Sequence, residues 1–265
     1  SIIYRDTDSV QLMYATNISG SWVNTVVATG GESYWYPSIL ADSTGTFHLI
    51  YNKDPVNPTS TKQLIYRTYD GSTWSDETIV DAGENIGEPS LQIVEATEIS
   101  PQITYYEKVA TEYYVGKYAT KTGEGWNIDI VIDIANEQHF ACSSLTIDNH
   151  QDPHVLGHGS DPLTDAGYLE YSTRDSGIWS TVQLEYQSTY YYYPSLTIDE
   201  SDYLHGAFDR DRSLYYIHDM DGDWEAVPLE LGSSGYLYGI HTNIITADGW
   251  VYILTYEHIV DTSTY

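Results

Sequence analysis

Two positions of a repeated segment carry side chains of the kinds that contact ligands. The segment is clearest in YYYYPSLTIDESDYLHGAFDRDRS from Tyr190, and looser copies begin at Ser33, Ile86, His139 and Tyr236. The first position lies two residues before a recurring serine or asparagine and holds Tyr36, Glu88, Cys142, Tyr193 and His241. The second ends the apolar run that follows and holds Asn52, Tyr106, His158, Asp209 and Tyr256. Aromatic rings stack on sugar faces, while carboxylate, amide and imidazole groups hydrogen bond to hydroxyls, so these positions suit a saccharide.

These positions and their neighbours form one predicted ligand site. We expect it to comprise Tyr34, Trp35, Tyr36, Asn52, Glu88, Tyr106, His158, Tyr191, Tyr193, Asp209, Arg210, His241 and Tyr256. The alternative is that the aromatic residues only pack between sheets, because Tyr and Trp are intermediate in burial. The run from Tyr190 to Tyr193 weighs against this alternative, since alternate side chains of an extended run point to opposite faces.

Histidine residues fall into two groups. One position recurs in three copies and is expected to be structural, with its imidazoles bonded to backbone; it holds His48, His154 and His205. The histidines that do not recur are better candidates for a functional role, and they are His139, His158 and His241. No cofactor is expected. Calcium is the one ion for which the sequence offers clustered oxygen ligands, at Asp199–Asp202 and Asp209–Asp211, although neither has the spacing of an EF-hand loop.

The elements that position these residues are short strands in a fixed order. After each copy of the segment comes a hairpin whose first strand carries Tyr14, Tyr66, Tyr118, Tyr171 or Tyr216. Its second strand opens with Trp22, Trp74, Trp126, Trp179 or Trp224. Both series advance by 52, 52, 53 and 45 residues. Each repeat therefore has four strands, here called A, B, C and D, and no stretch shows helical periodicity.

Four antiparallel strands repeated about every 50 residues predict an all-β, five-bladed β-propeller of four-stranded antiparallel blades. We expect a single domain over 1–265, with blades at 33–85, 86–138, 139–189 and 190–235. The C–D hairpin at 1–32 would complete the blade begun at 242–265, closing the ring by joining the terminal strands. Both Ile2–Arg5 and Val251–Tyr256 resemble B strands, so the closing blade has one too many. Either one copy is displaced or the chain belongs to a longer array.

In such a blade the chain enters strand A at the face to which strand B returns. The residues before A and after B should therefore surround one mouth of the central channel, which is a favoured place for a ligand.

The units PSLTIDESDYLHGAFD, SSLTIDNHQDPHVLG and PSILADSTGTFHLIY resemble the degenerate repeats of sialidase-superfamily, or BNR-like, propellers. The C–D turn with Thr68, Asp70, Gly71 and Trp74 is similar to the Asp-box of that group, but its glycine directly follows the aspartate. The resemblance implies a propeller over essentially the whole chain and says little about activity. A sialidase of this family would need three arginines around a carboxylate, and the arginines near the predicted mouth of the channel are Arg5, Arg210 and Arg212.

The charge is strongly negative, with 10 basic and 39 acidic side chains and a net charge of −29. Such a chain is not expected to bind nucleic acid or to insert into membranes, and a glycan or another neutral surface ligand is the expected partner. The acidic balance and the resemblance favour an extracellular or cell-surface location, within what could be a longer multidomain surface protein. The single cysteine, Cys142, can form no internal disulfide.

We therefore expect a lectin-like or adhesin-like propeller that binds carbohydrate or another surface ligand without turnover. The alternative is a glycoside hydrolase that uses channel carboxylates, for which the candidates are Glu88, Glu107, Asp209 and Glu257. The nearly uniform blades argue against it, because such enzymes carry irregular catalytic inserts. A third alternative is a protein-interaction module of a larger surface protein.

Overall fold

All regular structure that the computed structural model describes is β. The described residues are 1–30, 33–57, 60–110, 113–123, 125–132, 139–161, 166–187, 191–210, 213–229 and 242–255. Among them there is no helix long and apolar enough to cross a membrane. The chain divides into two compact units, Ser1–Thr111 with Val115–Ile130, and Glu112–Tyr114 with Val131–Tyr265.

The first unit contains three sheets, apart from the ends of two strands in the third. The first sheet has the order β1 (Ile2–Asp6), β2 (Gln11–Thr16), β3 (Val23–Ala28). The second has the order β4 (Ser33–Ala41), β5 (Phe47–Asp54), β6 (Lys62–Tyr69), β7 (Thr78–Gly83). The third has the order β8 (Ile86–Glu95), β9 (Ile99–Ala110), β10 (Tyr113–Thr122), β11 (Gly125–Ile132).

The second unit also contains three sheets. The fourth sheet has the order β12 (His139–Ile147), β13 (Pro153–Asp161), β14 (Ala166–Asp175), β15 (Ile178–Gln187). The fifth has the order β16 (Tyr191–Ile198), β17 (Leu204–Arg210), β18 (Ser213–His218), β19 (Glu225–Pro228). The sixth pairs β20 (Thr242–Ala247) with β21 (Trp250–Thr255).

The predicted four-stranded antiparallel repeat is confirmed by the second to fifth sheets. The predicted number of five blades is not confirmed, because the described residues form six sheets, of which the first has three strands and the last has two. Each of the two B-like segments has its own partner: Ile2 lies opposite Ala15, and Thr255 lies opposite Thr242. Closure of the ring by the terminal strands stays a prediction, as does the single domain.

Strand β5 in the first unit and strand β17 in the second are buried on both faces. In β5, Leu49 packs towards the first sheet and the next residue, Ile50, packs towards the third. In β17, Phe208 packs towards the fourth sheet and Ala207 packs towards the sixth. Successive side chains of a strand point to opposite faces, so one strand joins two interfaces. Burying each large aliphatic or aromatic side chain stabilises the fold by about 1.5–3 kcal/mol.

The recurring Tyr and Trp residues pack against each other between neighbouring sheets. Tyr14 meets Trp74 with ring centroids 5.6 Å apart, and Tyr66 meets Trp126 at 5.2 Å. In the second unit, Tyr171 of the fourth sheet meets Trp224 of the fifth at 4.9 Å. At these three positions the repeat spacing follows from a structural need, because the C-strand tyrosine meets the tryptophan of the next sheet.

The A strands of successive sheets in the second unit lie side by side and are joined through the recurring serine. Ser144 Oγ accepts a hydrogen bond from the backbone N–H of Leu196 at 2.9 Å, and Ser195 Oγ accepts one from the N–H of Ile244 at 3.2 Å. The recurring serine thus has a structural role in this unit, because it joins neighbouring A strands.

Candidate functional site

The first ligand position coincides with a β-bulge in the A strands. The pairing of β4 with β5 shifts between Trp35 and Ser38, and equivalent shifts occur after Gly87 in β8 and after Tyr192 in β16. The residues at the bulge have positive φ angles: 50° at Tyr36, 47° at Glu88 and 44° at Tyr193. Three non-glycine residues at one repeat position therefore adopt the left-handed region, which is rare for large side chains.

The bulges have a cause in the sequence and a cost in energy. Each strained residue is followed by proline, which has no N–H to give to a ladder and is tolerated within sheets at bulges. A left-handed conformation costs roughly 1–2 kcal/mol for a residue with a side chain. Bulges re-aim side chains, and backbone strain of this kind concentrates at functional sites. The repeat of the strain points to the bulges as the candidate site.

In the first unit, an exposed aromatic pair lies at the bulge of β4. Trp35 and Tyr36 are 43% and 41% exposed, with ring centroids 6.4 Å apart and planes inclined by 38°. The Trp35 indole Nε1 donates a hydrogen bond to Asp54 Oδ2 at 3.0 Å. The Arg5 guanidinium lies over the indole, 4.2 Å from the ring centroid. Since these contacts hold the indole in place, the pair is a fixed aromatic surface with hydrogen-bonding groups beside it.

A second bulge of the first unit, in β8, holds Glu88, and Tyr106 lies beside it on β9. Tyr106 lies opposite Gly87 in the ladder, and a Cβ on Gly87 would lie 2.1 Å from the tyrosine hydroxyl oxygen, so only glycine allows the ring to cross there. Both Glu88 and Tyr106 are half-buried. The carboxylate of Glu107, which follows Tyr106, pairs with Lys117.

Two of the predicted residues in the first unit are buried. Tyr34 is 0% exposed and packs in the core against Tyr51, with centroids 5.9 Å apart. Asn52 is 2% exposed, and its Nδ2 donates to the backbone carbonyl of Ile86 at 3.0 Å, which joins the second sheet to the third. These side chains support the bulges and present no surface to a ligand.

The second unit places its predicted residues differently. Tyr193 is half-buried, and its backbone carbonyl accepts a hydrogen bond from Thr242 Oγ1 at 2.6 Å. Asp209 is 4% exposed and His158 is 8% exposed, and burial lowers the pKa of His158 to about 3, so this imidazole is neutral at physiological pH. The Arg210 guanidinium lies 3.9 Å from the ring centroid of Tyr215.

The side chains of three predicted site residues are not among those that the structure describes. His241 and Tyr256 lie outside the described residues, and for Tyr191 the structure describes the backbone alone, which pairs with Arg210.

The recurrent histidines bond side chains instead of the expected backbone. His48 Nδ1 lies 2.6 Å from the Tyr66 hydroxyl and its Nε2 lies 3.1 Å from Asp42 Oδ2. In the second unit, the Nδ1 atoms of His154 and His205 lie 2.5 Å and 2.6 Å from the hydroxyls of Tyr171 and Tyr216, and their Nε2 atoms lie 3.5 Å and 3.3 Å from the carboxylate oxygens of Asp148 and Asp199. Three linked Asp–His–Tyr groups in three sheets indicate a structural role, as the recurrence predicted.

Metal ligation receives no support from the described residues. They contain no group of three or more His, Cys, Asp or Glu side chains placed to hold a metal ion. In the proposed calcium cluster, Asp199 Oδ1 instead accepts the backbone N–H groups of Ser201 and Tyr203 at 2.8 and 2.9 Å. The Asp-box-like turn is also structural, because Asp70 Oδ1 accepts from the N–H groups of Ser72 and Thr73, both at 2.8 Å. Hydrogen bonds from Thr73 and Ser72 lower the Asp70 pKa to about 2.

Sequence reasoning missed the bulges and the residues that support the Trp35–Tyr36 pair. Proline after Tyr36, Glu88 and Tyr193 was the available signal, because prolines within sheets are confined to edge strands, strand starts and bulges. No sequence signal would have identified Asp54 as the partner of the Trp35 indole, because that contact depends on the register of β4 and β5.

Comparison with solved structures supports a propeller fold. The α-L-arabinanase of Penicillium chrysogenum in complex with arabinobiose is 13% identical, with 92% of this chain and 79% of that chain covered and a TM-score of 0.62. The GH93 α-L-arabinofuranosidase of Fusarium graminearum with arabinobiose is 12% identical, with coverage of 91% and 78% and a TM-score of 0.60. A PL25 ulvan lyase bound to a GlcA(1-4)Rha3S unit is 8% identical, with coverage of 88% and 63% and a TM-score of 0.57.

These neighbours are propeller-fold proteins, and at such low identity they show the fold alone. No protein-family model matches the chain, and no curated protein matches it either. The specific resemblance to sialidase-type repeats stays a prediction. The chain is thus an all-β protein of repeated four-stranded antiparallel sheets whose fold is similar to that of β-propellers.

Proposed function

We propose that this protein binds a neutral saccharide without turnover, through the Trp35–Tyr36 pair and the polar groups beside it. The observation that carries the proposal is the exposed aromatic pair on a strained bulge. A left-handed tyrosine is retained at an energetic cost, which suggests that its position serves binding. Asp54 and Arg5 adjoin the indole and offer an acceptor and donors to sugar hydroxyls.

Two carboxylates of the first unit are already paired, which favours binding over hydrolysis. A retaining or inverting glycosidase needs two carboxyl groups across the scissile bond, one of them an acid with a raised pKa. Asp54 is held by Trp35 and lies 3.4 Å from Lys62 Nζ, and Glu107 pairs with Lys117. Paired in this way, these groups serve as fixed acceptors, and the hydrolase reading remains the second candidate.

The structural neighbours suggest which saccharide to test first. Two of them were solved with arabinobiose, so we propose neutral arabino-oligosaccharides as the first ligands. The net charge of −29 argues against anionic sugars. Extracellular or cell-surface polysaccharides would be the natural source, which fits the proposed location of the protein.

Titration calorimetry of the chain with arabino-oligosaccharides of increasing length tests the proposal. Trp35→Ala should weaken binding at least tenfold, which corresponds to about 1.4 kcal/mol, while Trp35→Phe should retain part of the affinity. Trp22→Ala is the matched control, because Trp22 is 57% exposed in the same unit but lies before β3, outside the A strands.

Reducing-sugar release, measured in parallel, separates binding from hydrolysis. We expect no release over hours, and Glu88→Gln should leave this baseline unchanged. Turnover that Glu88→Gln abolishes would establish the hydrolase instead. Equal binding by the Trp35→Ala and Trp22→Ala variants would remove the proposed site.

A further inference from the structure

A second site is suggested by a cavity in the second unit, at the other end of β16 from Tyr193. The cavity has a volume of about 320 Å³ and lies by the turn that follows β16 and the turn that joins β20 to β21. Its walls include Glu200, His205, Tyr216, Met220, Asp248 and Trp250. A volume of this size is within the range of small-ligand pockets.

At two corresponding places, between the second and third sheets and between the fourth and fifth, a hydrogen bond joins the neighbouring sheets. The backbone N–H of Ser43, in the turn after β4, donates to Glu95 Oε1 at 2.5 Å. The N–H of Asn149, in the turn after β12, donates to Asp202 Oδ1 at 3.2 Å. Ser43 and Asn149 each come directly after the aspartate that contacts the recurrent histidine. The equivalent residue in the turn after β16 is Glu200.

The cavity exists because the sixth sheet departs from this pattern. The turns after β4, β12 and β16 have five residues, but β20 and β21 are joined by Asp248 and Gly249 alone. Their φ angles of 51° and 74° are those of a tight hairpin turn. The shorter turn leaves space, and it places the Asp248 carboxylate on the wall that also carries Glu200. Two ionised carboxylates are acceptors only and cannot close the gap with each other.

The lining has a definite chemical character. Trp250 is 70% exposed and Met220 is 41% exposed, so the cavity offers an indole face and a thioether. Asp199, Glu200 and Asp248 supply carboxylates, and no lysine or arginine is among the described residues that line it. At the base, His205 is 3% exposed, with Nε2 3.3 Å from Asp199 Oδ2 and Nδ1 2.6 Å from the Tyr216 hydroxyl.

We propose that this cavity binds an organic cation on an aliphatic stem, the chemistry of a lysine side chain presented by a partner peptide. Glu200 and Asp248 would accept hydrogen bonds from the ammonium group, while the stem lies along Trp250 and Met220. A cation near an indole face gains further stabilisation. The net charge of −29 raises the local concentration of cationic partners. A metal ion fits poorly, since the described residues form no such ligand group.

The proposal is tested by calorimetry of the full chain with a lysine-containing peptide, the same peptide with norleucine in place of lysine, and 1,5-diaminopentane. We expect the lysine peptide to bind, the norleucine peptide not to bind, and affinity to fall with added salt. Stronger binding of the free diamine than of the lysine peptide would show that the ligand is a free diamine and would overturn the proposal of a peptide partner. Glu200→Gln and Asp248→Asn should each weaken binding about threefold to tenfold. Asparagine tolerates a left-handed turn position, so the second variant keeps the hairpin.

Asp175→Asn is the matched control, because it removes an exposed charge at the end of β14, in the same unit but outside the cavity. An equal loss of affinity in this variant would show general charge attraction and overturn the proposal, as would absence of binding. Arabino-oligosaccharide binding that depends on Trp250 but not on Glu200 would also overturn it. The saccharide affinity at Trp35, measured on the same variants, should not change, so the two sites succeed or fail separately.

Discussion

At the scale of single residues, the bulge explains why neighbouring tyrosines have different fates. Tyr34 and Tyr36 would lie on the same face of a regular strand, but Tyr34 is fully buried and Tyr36 is 41% exposed. The shift of register between Trp35 and Ser38 turns Tyr36 outward, with its backbone in the left-handed region. The tyrosine is therefore held in a conformation that its own side chain disfavours.

Substitution of Tyr36 should separate stability from binding. Glycine adopts positive φ without the steric cost, so Tyr36→Gly should be more stable than Tyr36→Ala by about 1 kcal/mol. Both variants should lose saccharide affinity to a similar extent. Chemical denaturation gives the free energies of unfolding, and calorimetry gives the affinities. An alanine variant as stable as the glycine variant would show that the bulge relaxes when the tyrosine is removed.

The sequence predicted the equivalence of the bulge positions better than the directions of the side chains there. The repeat alignment placed Tyr36, Glu88 and Tyr193 at one equivalent position, and the structure gives all three the same backbone strain. It did not predict the burial of Asn52 or Asp209. Simple alternation fails at a bulge, and the directions there depend on cross-strand register, which a single sequence does not specify.

At the scale of elements, the A–B turn of the second sheet is held by one carboxylate. Asp42 Oδ1 accepts from the N–H groups of Thr44 and Thr46, both at 2.9 Å, and Oδ2 contacts His48. Burial raises the Asp42 pKa, but hydrogen bonds from Thr44, His48 and Thr46 outweigh this and lower it to about 2. The turn and the Asp–His–Tyr group therefore depend on the ionised form of Asp42.

Acid should weaken this element in a defined range of pH. A pKa lowered from 3.8 to about 2 in the folded state adds stability above pH 3.8 that is lost as pH falls towards 2. The full contribution is about 2 kcal/mol. Asp42→Asn should therefore destabilise the protein at pH 6, and the difference from the parent should shrink as pH falls to 3. Urea denaturation at several pH values measures it.

Asp76→Asn provides the control, because it removes an exposed carboxylate of the same sheet from the loop before β7. It should change stability by less than about 0.5 kcal/mol at every pH. A stability difference for Asp42→Asn that stays constant from pH 6 to pH 3 would mean that the carboxylate acts through packing and not through its charge.

The strands themselves were largely predictable, because period-two alternation and the Tyr and Trp spacing both follow from sheet packing. The pairing partners of the two B-like segments were not. Ile2–Asp6 pairs with β2 and Trp250–Thr255 pairs with β20, and both arrangements satisfy the same antiparallel pattern. Repeats of similar sequence make several pairings nearly equivalent, so local patterns alone cannot select the sheet in which a terminal strand lies.

At the scale of the whole molecule, charge opposes folding. With 39 acidic and 10 basic side chains, self-repulsion should destabilise the compact state. Local pairs such as Lys53 with Glu77, at 2.5 Å, and Lys117 with Asp81, at 2.8 Å, offset only part of it. Salt should weaken both the repulsion between acidic groups and the attraction within these ion pairs. Because acidic groups are in large excess, the loss of repulsion should dominate.

Thermal stability should therefore rise with ionic strength. Going from about 0.01 M to about 0.1 M salt shortens the screening length from about 30 Å to about 10 Å. We expect an increase in Tm by calorimetry that is the same for sodium, potassium and choline chlorides at equal ionic strength, because screening does not depend on the cation. A rise with sodium but not with choline would indicate a specific cation site. A fall in Tm would mean that the paired lysines contribute more than the repulsion removes.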